Sequence, residues 1–486
     1  MSLFQSFTCF FLLFHSIAAV LNNCTGTLTI DHPANLNDSY YWPTGWTDFQ
    51  NYVPQFSAGQ NCVWKFNVPK GMYAYFGASF TSSDSTTTLK MTDSIGVVTI
   101  FNESDFNHPF FLVDPGFSVE LHSTAIGYLG IRVAWFEIPQ TASNVITVAP
   151  NDAALALIGD TFNNPTTIQS QSRVSLVSIK PKQAFNDNVP AMRLTLICDG
   201  PTVNSTFIGN LWQVMTSGNQ LVSTGHSLTL YSVWPGKDLG NVAIVQDYSN
   251  VKQFSSYTGI SCYLNTECQF QIDASNGTSA AIRYSESPQY LISMGLFYSA
   301  SISVYSGALT TNQLISSYSE NLTHNRIPQE FSGRLTTYTV DKGFAALELT
   351  GRSDYSKWST IFDGRQGIVF SKNLGVSSSD QEFSETFSRK DSSFNISLTV
   401  VDAGLTGAAT LQITVLQDKT TVSDITYSAR KLPDNKIALT GNQLSVTYRN
   451  QGSETKGCRL DFEFRMNGNA LAGIFAVFLT IFYHFF

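Results

Sequence analysis

Gly116-Phe-Ser-Val-Glu-Leu-His122 is a glycine followed by a stretch in which apolar and polar residues alternate. This alternation is typical of a β-strand with one buried face, and the glycine is typical of the turn before it. Three later stretches have the same form: GHSLTLY from Gly225, GFAALEL from Gly343 and GNQLSVTY from Gly441. Successive copies lie roughly 100 residues apart, the size of one β-sandwich domain. The pattern indicates an internal repeat of β-sheet units.

Two further elements recur in a fixed order around these stretches. A strand that runs into a polar turn with glycine precedes each copy, at Leu89–Gly96, Leu194–Pro201, Ile302–Leu309 and Leu398–Leu405. A closing strand follows in three copies, at Leu129–Glu137, Asn241–Tyr248 and Arg459–Phe464. Copy three has no clear closing strand. Such patterns also recur by chance in β proteins, but the constant order favours a true repeat.

The repeat predicts an all-β fold of four β-sandwich modules in tandem. We place them at residues 20–139, 140–250, 251–356 and 357–466, with boundaries near Pro139, Asn250 and Ser356. Helical periodicity is scarce, and Asp152–Ile158 is the best candidate for a short helix.

The composition supports a folded protein and excludes one class of partner. Of the 486 residues, 43% are hydrophobic, which is enough to build packed cores, and only 13% are charged. The net charge is -8, and the Lys and Arg residues are scattered rather than grouped in a basic stripe. Nucleic acid is therefore not an expected partner, because its phosphates require clustered positive charge.

The first residues read as a secretory signal. Phe7–Phe14 is an apolar run of the length of a signal core, and Ser16, Ala18 and Ala19 supply small residues for cleavage. A basic segment before the run is missing, and a buried strand or a membrane anchor is the alternative. We predict a cleaved signal peptide over residues 1–19.

The last residues read as a lipid-attachment signal. Ala470–Phe486 is apolar (ALAGIFAVFLTIFYHFF) and carries no Lys or Arg, unlike the cytoplasmic flank of most spanning helices. Small residues precede it, so we predict a GPI attachment signal over residues 467–486 with the lipid on Asn467 or Gly468. The polar spacer is nearly absent, and a single C-terminal membrane helix is the alternative. We expect the protein on the outer face of the plasma membrane, in ordered rafts. Without an anchor it would be secreted.

The first module resembles a CUB domain. The resemblance rests on Cys24, on Cys62 at the head of an alternating strand with Trp64 and Phe66, and on a last strand that ends near Trp135. It covers Cys24 to Ile138 and is closest to the CUB-like domains of secreted nematode proteins. It implies a sandwich fold, a lipid-anchored surface protein and a role in innate immune or pathogen defence. The later modules resemble CUB domains only through their strand repeats.

The sequence departs from the CUB pattern at two points. The second cysteine pair of the domain is absent, and the calcium-binding set of one Glu and two Asp is not evident. Asp93 and Asp114 are possible members, but Ca²⁺ needs six to eight oxygen ligands, and isolated Asp residues in turns are usually turn formers. We therefore predict no Ca²⁺ site and no cofactor.

Cysteines and sequons agree with export. After the signal, six cysteines remain, and we expect Cys24 to pair with Cys62 and Cys262 with Cys268, while Cys198 and Cys458 are left unassigned. Sequons for N-glycosylation stand at Asn37, Asn102, Asn204, Asn276, Asn321 and Asn395. A seventh, Asn23, is the least favourable site because it precedes Cys24.

The residues carry no recognisable catalytic motif. The sequence contains no G-x-S-x-G elbow, no H-E-x-x-H pair and no phosphate-binding loop. The other candidate is an aromatic segment in a predicted loop, with Tyr40, Tyr41, Trp42 and Trp46. These rings could stack on a ligand, but aromatic rings more often pack into a core, here beside the first disulfide.

Three functions are consistent with these observations. The first is a non-enzymatic surface glycoprotein that binds an extracellular protein or carbohydrate ligand. The second is an extracellular hydrolase whose catalytic residues come from distant positions, which a cluster of two carboxylates in a cleft would support. The third is a structural coat or matrix glycoprotein. The absence of motifs favours the first.

Overall fold

The structure is a computed structural model that describes residues 21–467. It has gaps at residues 51, 102–108, 141–142, 180–189, 235–241, 263–266, 320–323, 353–354, 356, 373, 380–381, 391 and 435. The predicted signal peptide and the predicted tail from Gly468 onward lie outside the described residues. The chain divides into two compact units, Met1–Pro139 and Gln140–Phe486. Strands dominate both, which confirms the all-β fold class.

The first unit is one sandwich of two sheets. Its strands are β1 (Thr25–Ile30), β2 (Ser39–Trp42), β3 (Gln55–Phe56), β4 (Asn61–Asn67), β5 (Met72–Ser82), β6 (Thr88–Thr92), β7 (Val98–Phe101), β8 (Phe110–Val113), β9 (Gly116–His122) and β10 (Gly127–Glu137). The sheet orders are β1-β4-β9-β6-β7 and β2-β10-β5-β8, with β3 also paired to β10. Strand β1 runs parallel to β4.

Alternation along the strands builds the core of this sandwich. On β4, Cys62, Trp64 and Phe66 are buried while the residues between them are not, and β9 shows the same pattern. The inward side chains of both sheets form one apolar cluster in which Phe66 stacks on Phe117, with ring centroids 4.8 Å apart. The outer faces of these strands are left to solvent or to a ligand.

The second unit begins with a sandwich whose strands are β11 (Asn144–Val148), β12 (Leu155–Ile158), β13 (Thr166–Ser170), β14 (Val174–Ile179), β15 (Thr195–Asp199), β16 (Thr206–Asn210), β17 (Leu221–Val222), β18 (Ser227–Ser232) and β19 (Val242–Asp247). The sheet orders are β11-β13-β18-β15-β16 and β12-β19-β14-β17. It also holds the one α-helix of the described residues, α1 (Leu211–Ser217), and short 3₁₀ helices at Gly159–Phe162, Pro190–Leu194 and Tyr248–Asn250.

The third sandwich repeats this plan. Its strands are β20 (Ser256–Ser261), β21 (Glu267–Ala274), β22 (Ser279–Tyr284), β23 (Gln289–Phe297), β24 (Ser301–Ser306), β25 (Leu314–Ser319), β26 (Gln329–Phe331), β27 (Leu335–Val340) and β28 (Gly343–Thr350). The sheet orders are β20-β22-β27-β24-β25 and β21-β28-β23-β26. Two 3₁₀ helices lie at Thr311–Gln313 and His324–Arg326.

The fourth sandwich closes the described chain. Its strands are β29 (Gln366–Phe370), β30 (Glu382–Ser388), β31 (Phe394–Asp402), β32 (Thr410–Gln417), β33 (Thr420–Ser428), β34 (Lys436–Gly441), β35 (Gln443–Arg449) and β36 (Arg459–Met466). The sheet orders are β29-β36-β31-β34 and β30-β35-β32-β33. The first strands of the other sandwiches (β1, β11 and β20) pair in parallel, but β29 lies antiparallel to the last strand, with Gln366 opposite Glu463.

The second and third sandwiches are packed face to face. On β14, Leu176 belongs to the core of the second sandwich, while Val177 and Ile179 belong to another cluster that includes Tyr257 of β20 and Ile282 of β22. This second cluster lies between the two sandwiches, so β14 and β19 are buried along their whole length. The four sheets of these two sandwiches are therefore stacked in layers, with an apolar core between each pair of neighbouring sheets.

Side chains also tie the third sandwich to the fourth. The amide of Gln329 on β26 donates to the carbonyl of Ile368 on β29 (2.8 Å) and accepts from the Ile368 N–H (2.9 Å). The Ser332 hydroxyl donates to the Phe370 carbonyl (3.1 Å), and the Arg459 guanidinium donates to the Leu314 carbonyl. These hydrogen bonds connect the two sandwiches, whose strands belong to separate sheets.

The structure corrects the register of the predicted repeat. In the third sandwich β27 takes the place of β9 and β28 that of the closing strand β10, so the stretch from Gly343 is the closing strand that copy three was predicted to lack. In the fourth, Leu398 lies on β31, in the place of β5, and β32 takes the place of β6. The shift arises because many strands show the same alternation of apolar and polar residues and follow a glycine turn. Neighbouring antiparallel strands are therefore hard to tell apart in the sequence.

The predicted helix at Asp152–Ile158 is wrong, because Leu155–Ile158 is strand β12 and pairs with β19. The helix that does form starts at Asn210, whose side chain accepts from the Gln213 N–H while the Gln213 side chain accepts from the Asn210 N–H. This reciprocal cap satisfies two amide donors at the start of α1, and Gly218 ends the helix with a φ of 65°.

Candidate functional site

The aromatic segment from Tyr40 is divided between the two faces of a sheet. Strand β2 pairs with β10, so its alternate side chains point in opposite directions. Tyr40 and Trp42 face the core, with ring centroids 5.4 Å from Phe66 and 5.2 Å from Trp64. Tyr41 lies on the outer face, where its hydroxyl donates to Asp48 (3.1 Å).

The predicted loop is wrong for Tyr40–Trp42, which lie on β2, whereas packing of the rings into the fold is the interpretation that the sequence favoured. Trp42 and Trp46 are only 8% and 5% exposed. The Trp46 ring covers Gly130 of β10, where an added Cβ would lie 2.4 Å from the ring, and its Nε1 donates to the Tyr52 carbonyl (2.9 Å). Neither tryptophan can stack on a ligand, and packing against the sandwich explains both.

A partly buried ion pair lies at the centre of the outer face. Arg132 on β10 donates from Nη1 to Asp48 Oδ2 (2.7 Å), and its guanidinium lies 5.3 Å from the ring centroid of Tyr75 on β5. Burial raises the pKa of the Tyr41 and Tyr75 hydroxyls, although the Arg132 charge acts in the opposite direction. Both hydroxyls are therefore protonated near neutral pH and can donate hydrogen bonds.

Aromatic rings continue this surface along β5, β8 and β10. Tyr73 stacks on Phe136 (5.3 Å between ring centroids) and tilts against Phe111 (6.3 Å), which also meets Tyr75 edge to face (6.0 Å). Phe136 is 41% exposed, and Tyr128, further along β10, is 43% exposed. We call the outer surface formed by these residues the aromatic face. Its members are Tyr41, Asp48, Tyr73, Tyr75, Phe111, Tyr128, Arg132 and Phe136.

The two aspartates considered as calcium ligands both lie at turns. Asp93 follows β6, and its Oδ1 accepts from the N–H groups of Ile95 (3.1 Å) and Val97 (2.8 Å), which makes it a turn former. Asp114 precedes Pro115 in the turn between β8 and β9. Within the described ranges, no group of three or more His, Cys, Asp or Glu residues is placed to hold a metal ion.

A polar groove of about 380 Å³ lies between the third and fourth sandwiches. It is lined by two carboxylates, Asp461 and Glu463, and by Arg326 and Arg459. Asp461 is paired with Arg459 (3.2 Å) and Glu463 with Arg465 (2.6 Å). Both carboxylates in the groove therefore have arginine partners.

The cysteine pairs formed are those expected from the sequence. Cys24 is bonded to Cys62 and Cys262 to Cys268, with Cα–Cα distances of 5.7 and 5.3 Å. Cys198 and Cys458 are buried thiols, and burial raises the pKa of Cys198 to about 12. They are therefore unreactive at neutral pH.

The described sequon asparagines are all exposed: Asn37, Asn204, Asn276 and Asn395. Asn102 and Asn321 lie outside the described residues. Asn467, one of the two predicted anchor residues, comes directly after β36, and its N–H donates to the Ser393 carbonyl (3.1 Å), whereas Gly468 is not described. In the described part of the chain no helix is long and apolar enough to cross a bilayer.

Comparison with protein families identifies the first sandwich. Residues 19–139 match the model of the CUB-like domain family, so the first sandwich is similar to a CUB-like domain. Residues 147–233 and 249–352 match two families described as domains of unknown function, DUF7592 and DUF7591. These matches lie within the second and third sandwiches. A comparison with curated proteins gave no match.

Solved structures give only faint likenesses. The CUB1-EGF-CUB2 domains of rat MASP-1 align with 42% of this chain and 99% of their own, at 13% identity and a TM-score of 0.17. The same region of human MASP-1/3 covers 42% and 95%, at 14% identity and a TM-score of 0.17. The extracellular region of zebrafish Gpr126/Adgrg6 covers 76% and 63%, at 8% identity and a TM-score of 0.19. Likeness at this level indicates neither a ligand nor an activity.

Proposed function

We propose that this chain is a non-enzymatic, extracellular binding protein that binds a protein ligand through the aromatic face of its CUB-like domain. The observation that carries the proposal is the set of rings around the Arg132–Asp48 pair, which are partly exposed except for the buried Phe111. Tyr and Arg are enriched among the residues that dominate binding energy at protein interfaces. CUB domains are in general extracellular binding modules, which agrees with this role.

The arrangement of the rings favours a protein over a carbohydrate. Tyr73 and Phe136 stack on each other with an interplanar angle of 21°, so part of each ring face is already covered. A sugar that stacks on an aromatic residue needs an open ring face, whereas protein side chains can insert between ring edges. A glycan ligand is the alternative, and one experiment distinguishes the two.

We also propose that the protein is displayed on the outer face of the plasma membrane by a GPI lipid at Asn467 or Gly468, in ordered rafts, and acts in innate immune defence. The apolar tail after small residues supports the anchor, and the CUB-like resemblance supports the defence role. Phosphatidylinositol-specific phospholipase C treatment of intact cells should release the protein. Retention together with a C-terminal peptide that contains Phe475–Phe486 would show a membrane helix instead.

The binding role is tested by proximity labelling on living cells with the full-length protein and two variants. Phe136→Ser removes an exposed ring from the aromatic face, and Leu28→Ser removes an apolar side chain of similar exposure from the other sheet. We expect Phe136→Ser to lose its labelled partners, with about a 30-fold weaker affinity for each purified partner, as at an interface hot spot. Leu28→Ser should keep them.

Equal labelling by both variants would contradict the proposal. Thermal unfolding of each variant verifies that the first sandwich is intact. A glycan array probed with the same proteins gives the alternative its own result: binding that depends on Phe136 would show a carbohydrate ligand.

A further inference from the structure

Two carboxylates from different sandwiches flank one pair of aromatic rings, Tyr290 and Trp358, inside the second unit. Glu330 lies on β26 of the third sandwich and is only 9% exposed. Glu385 lies on β30 of the fourth sandwich, and each carboxylate is close enough for its charge to act on the same neighbour, Tyr290. Like charges brought together in a buried contact cannot both ionise without a large energetic cost.

The groups around the pair are aromatic and donate hydrogen bonds to it. Tyr290 stands directly opposite Glu330 in the β23–β26 ladder, and its hydroxyl hydrogen-bonds to the Glu330 carboxyl. Trp358 donates from Nε1 to Glu385 Oε2 (2.9 Å), and its ring lies 6.3 Å from that of Tyr290. These rings exclude water from the contact and join the two carboxyls through a short chain of side chains.

The neighbouring cations do not neutralise the pair. Lys372, which follows β29, lowers the pKa of Glu330, but burial and the Glu385 charge raise it by more. Arg365 is fully buried nearby, but it donates to the backbone carbonyls of Trp358 (2.6 Å) and Lys357 (3.2 Å). The Arg365 charge lowers the pKa of Tyr355, and the carboxylate of Glu348 on β28 raises it.

We propose that Glu330 and Glu385 form a proton-holding contact that makes the docking of the third sandwich on the fourth dependent on pH. With a proton on the pair, one carboxyl is neutral and the junction is closed. When that proton leaves, two buried negative charges face each other and the junction loosens. This device is independent of the aromatic face.

The direction of the pH dependence follows from the ionisation of the pair. Burial, then the Glu385 charge, raises the pKa of Glu330 to about 8, and burial also raises the pKa of Glu385. The docked state therefore keeps a proton that an opened, solvated junction would release near pH 4.5. Docking is strongest in acid, weakens as the pH rises from about 5 to about 8, and then becomes constant.

Hydrogen exchange on the full-length protein between pH 5 and 9 tests the proposal. After correction for the pH dependence of intrinsic exchange, the protection of Gln329–Phe331 and Glu382–Ser388 should fall about tenfold for each pH unit between 5 and 8. Strands of the first sandwich provide the internal reference and should not follow this trend.

Matched variants separate the pair from other titrating groups. Glu330→Gln and Glu385→Gln each remove one ionisation while keeping the shape of the side chain. Because burial is the larger cause of the raised pKa of Glu330, Glu330→Gln should flatten the profile most, whereas Glu385→Gln should end the fall in protection at a lower pH. Either variant should raise protection at pH 8–9. Glu382→Gln changes an exposed carboxylate on the same strand as Glu385 and should leave the profile unchanged. A wild-type profile that is flat, or that persists in both Glu330→Gln and Glu385→Gln, would overturn the proposal.

Discussion

The first and second sandwiches are built from the same strand plan but bury their sheets differently. In the first, β4 and β9 alternate between buried and open positions, so the sheet that holds them has one covered face. In the second, β14 and β19 are buried at every position because the third sandwich covers their other side. The first sandwich thus builds its apolar core within itself, whereas the second also shares an apolar layer with the third. A repeat in sequence is therefore not always a unit of stability.

The largest expected effect comes from placing a charge in the shared layer. Ile282→Asp puts an unpaired carboxylate into the fully buried cluster between the second and third sandwiches. We expect a loss of more than about 4 kcal/mol in the free energy of unfolding of the second unit, because an isolated buried charge has no compensating partner.

Leu28→Asp is the matched change in the first sandwich, where Leu28 is 51% exposed on β1. It should alter stability by less than about 0.5 kcal/mol. Denaturant unfolding of both variants, followed by hydrogen exchange, measures the difference. Equal losses would mean that the shared layer does not distinguish the two regions.

The second effect concerns how the free-standing module is stabilised. The Cys24–Cys62 bridge spans 38 residues and the Cys262–Cys268 bridge spans 6. If bridges stabilise by restricting the unfolded chain, alanine replacement of the first pair should cost about 4 kcal/mol and of the second about 2 kcal/mol. Chemical denaturation of each double variant tests this order, and a reversed order would show that local packing outweighs chain entropy.

The smallest expected effect measures how closely the shared layer is packed. At Gly259 on β20, an added Cβ would lie 2.7 Å from the carbonyl oxygen of Ser178 on β14. Gly259→Ala should therefore cost about 1–3 kcal/mol through overpacking. Gly225→Ala, where nothing lies within 4 Å, should be neutral or slightly stabilising. Thermal unfolding of both variants gives the comparison, and a neutral Gly259→Ala would mean that the layers can separate slightly.

Much of the fold was predictable from alternation, and the errors have physical causes. Strands were correctly expected around Gly116, Gly225 and Gly441, because a half-buried strand leaves a period of two in the sequence. The shared layer was not predicted, although Val174-Ser-Leu-Val-Ser-Ile179 is a nearly continuous apolar run of the kind that marks a strand buried on both faces.

The candidate site was only partly predictable. Tyr41 was identified in advance, but Tyr73, Tyr75, Phe111 and Phe136 come from three other strands that only the sheet order brings together. Arg132 and Asp48, at its centre, lie far apart in the chain and carry no local motif. The helix at Leu211–Ser217 did have a signal, since Asn210 and Gln213 form a capping box, and this signal was missed.

The antiparallel pairing of β29 with β36 has a mechanical consequence. Strand β29 starts at Gln366 and β36 ends at Met466, and Gln366 lies opposite Glu463, so these two strand ends are at the same end of the pair. Before β29, the chain is already held in the fourth sandwich by Trp358 and Ile361, which are buried in its core. Tension on the chain would first pull the Trp358 and Ile361 side chains out of the core and would then separate the hydrogen bonds of the β29–β36 pair one after another, as a zipper opens. In the other three sandwiches the first strand lies in one sheet and the last strand in the other, so no such zipper joins their ends. When the chain is stretched, we therefore expect the fourth sandwich to unfold at a lower force than the other three.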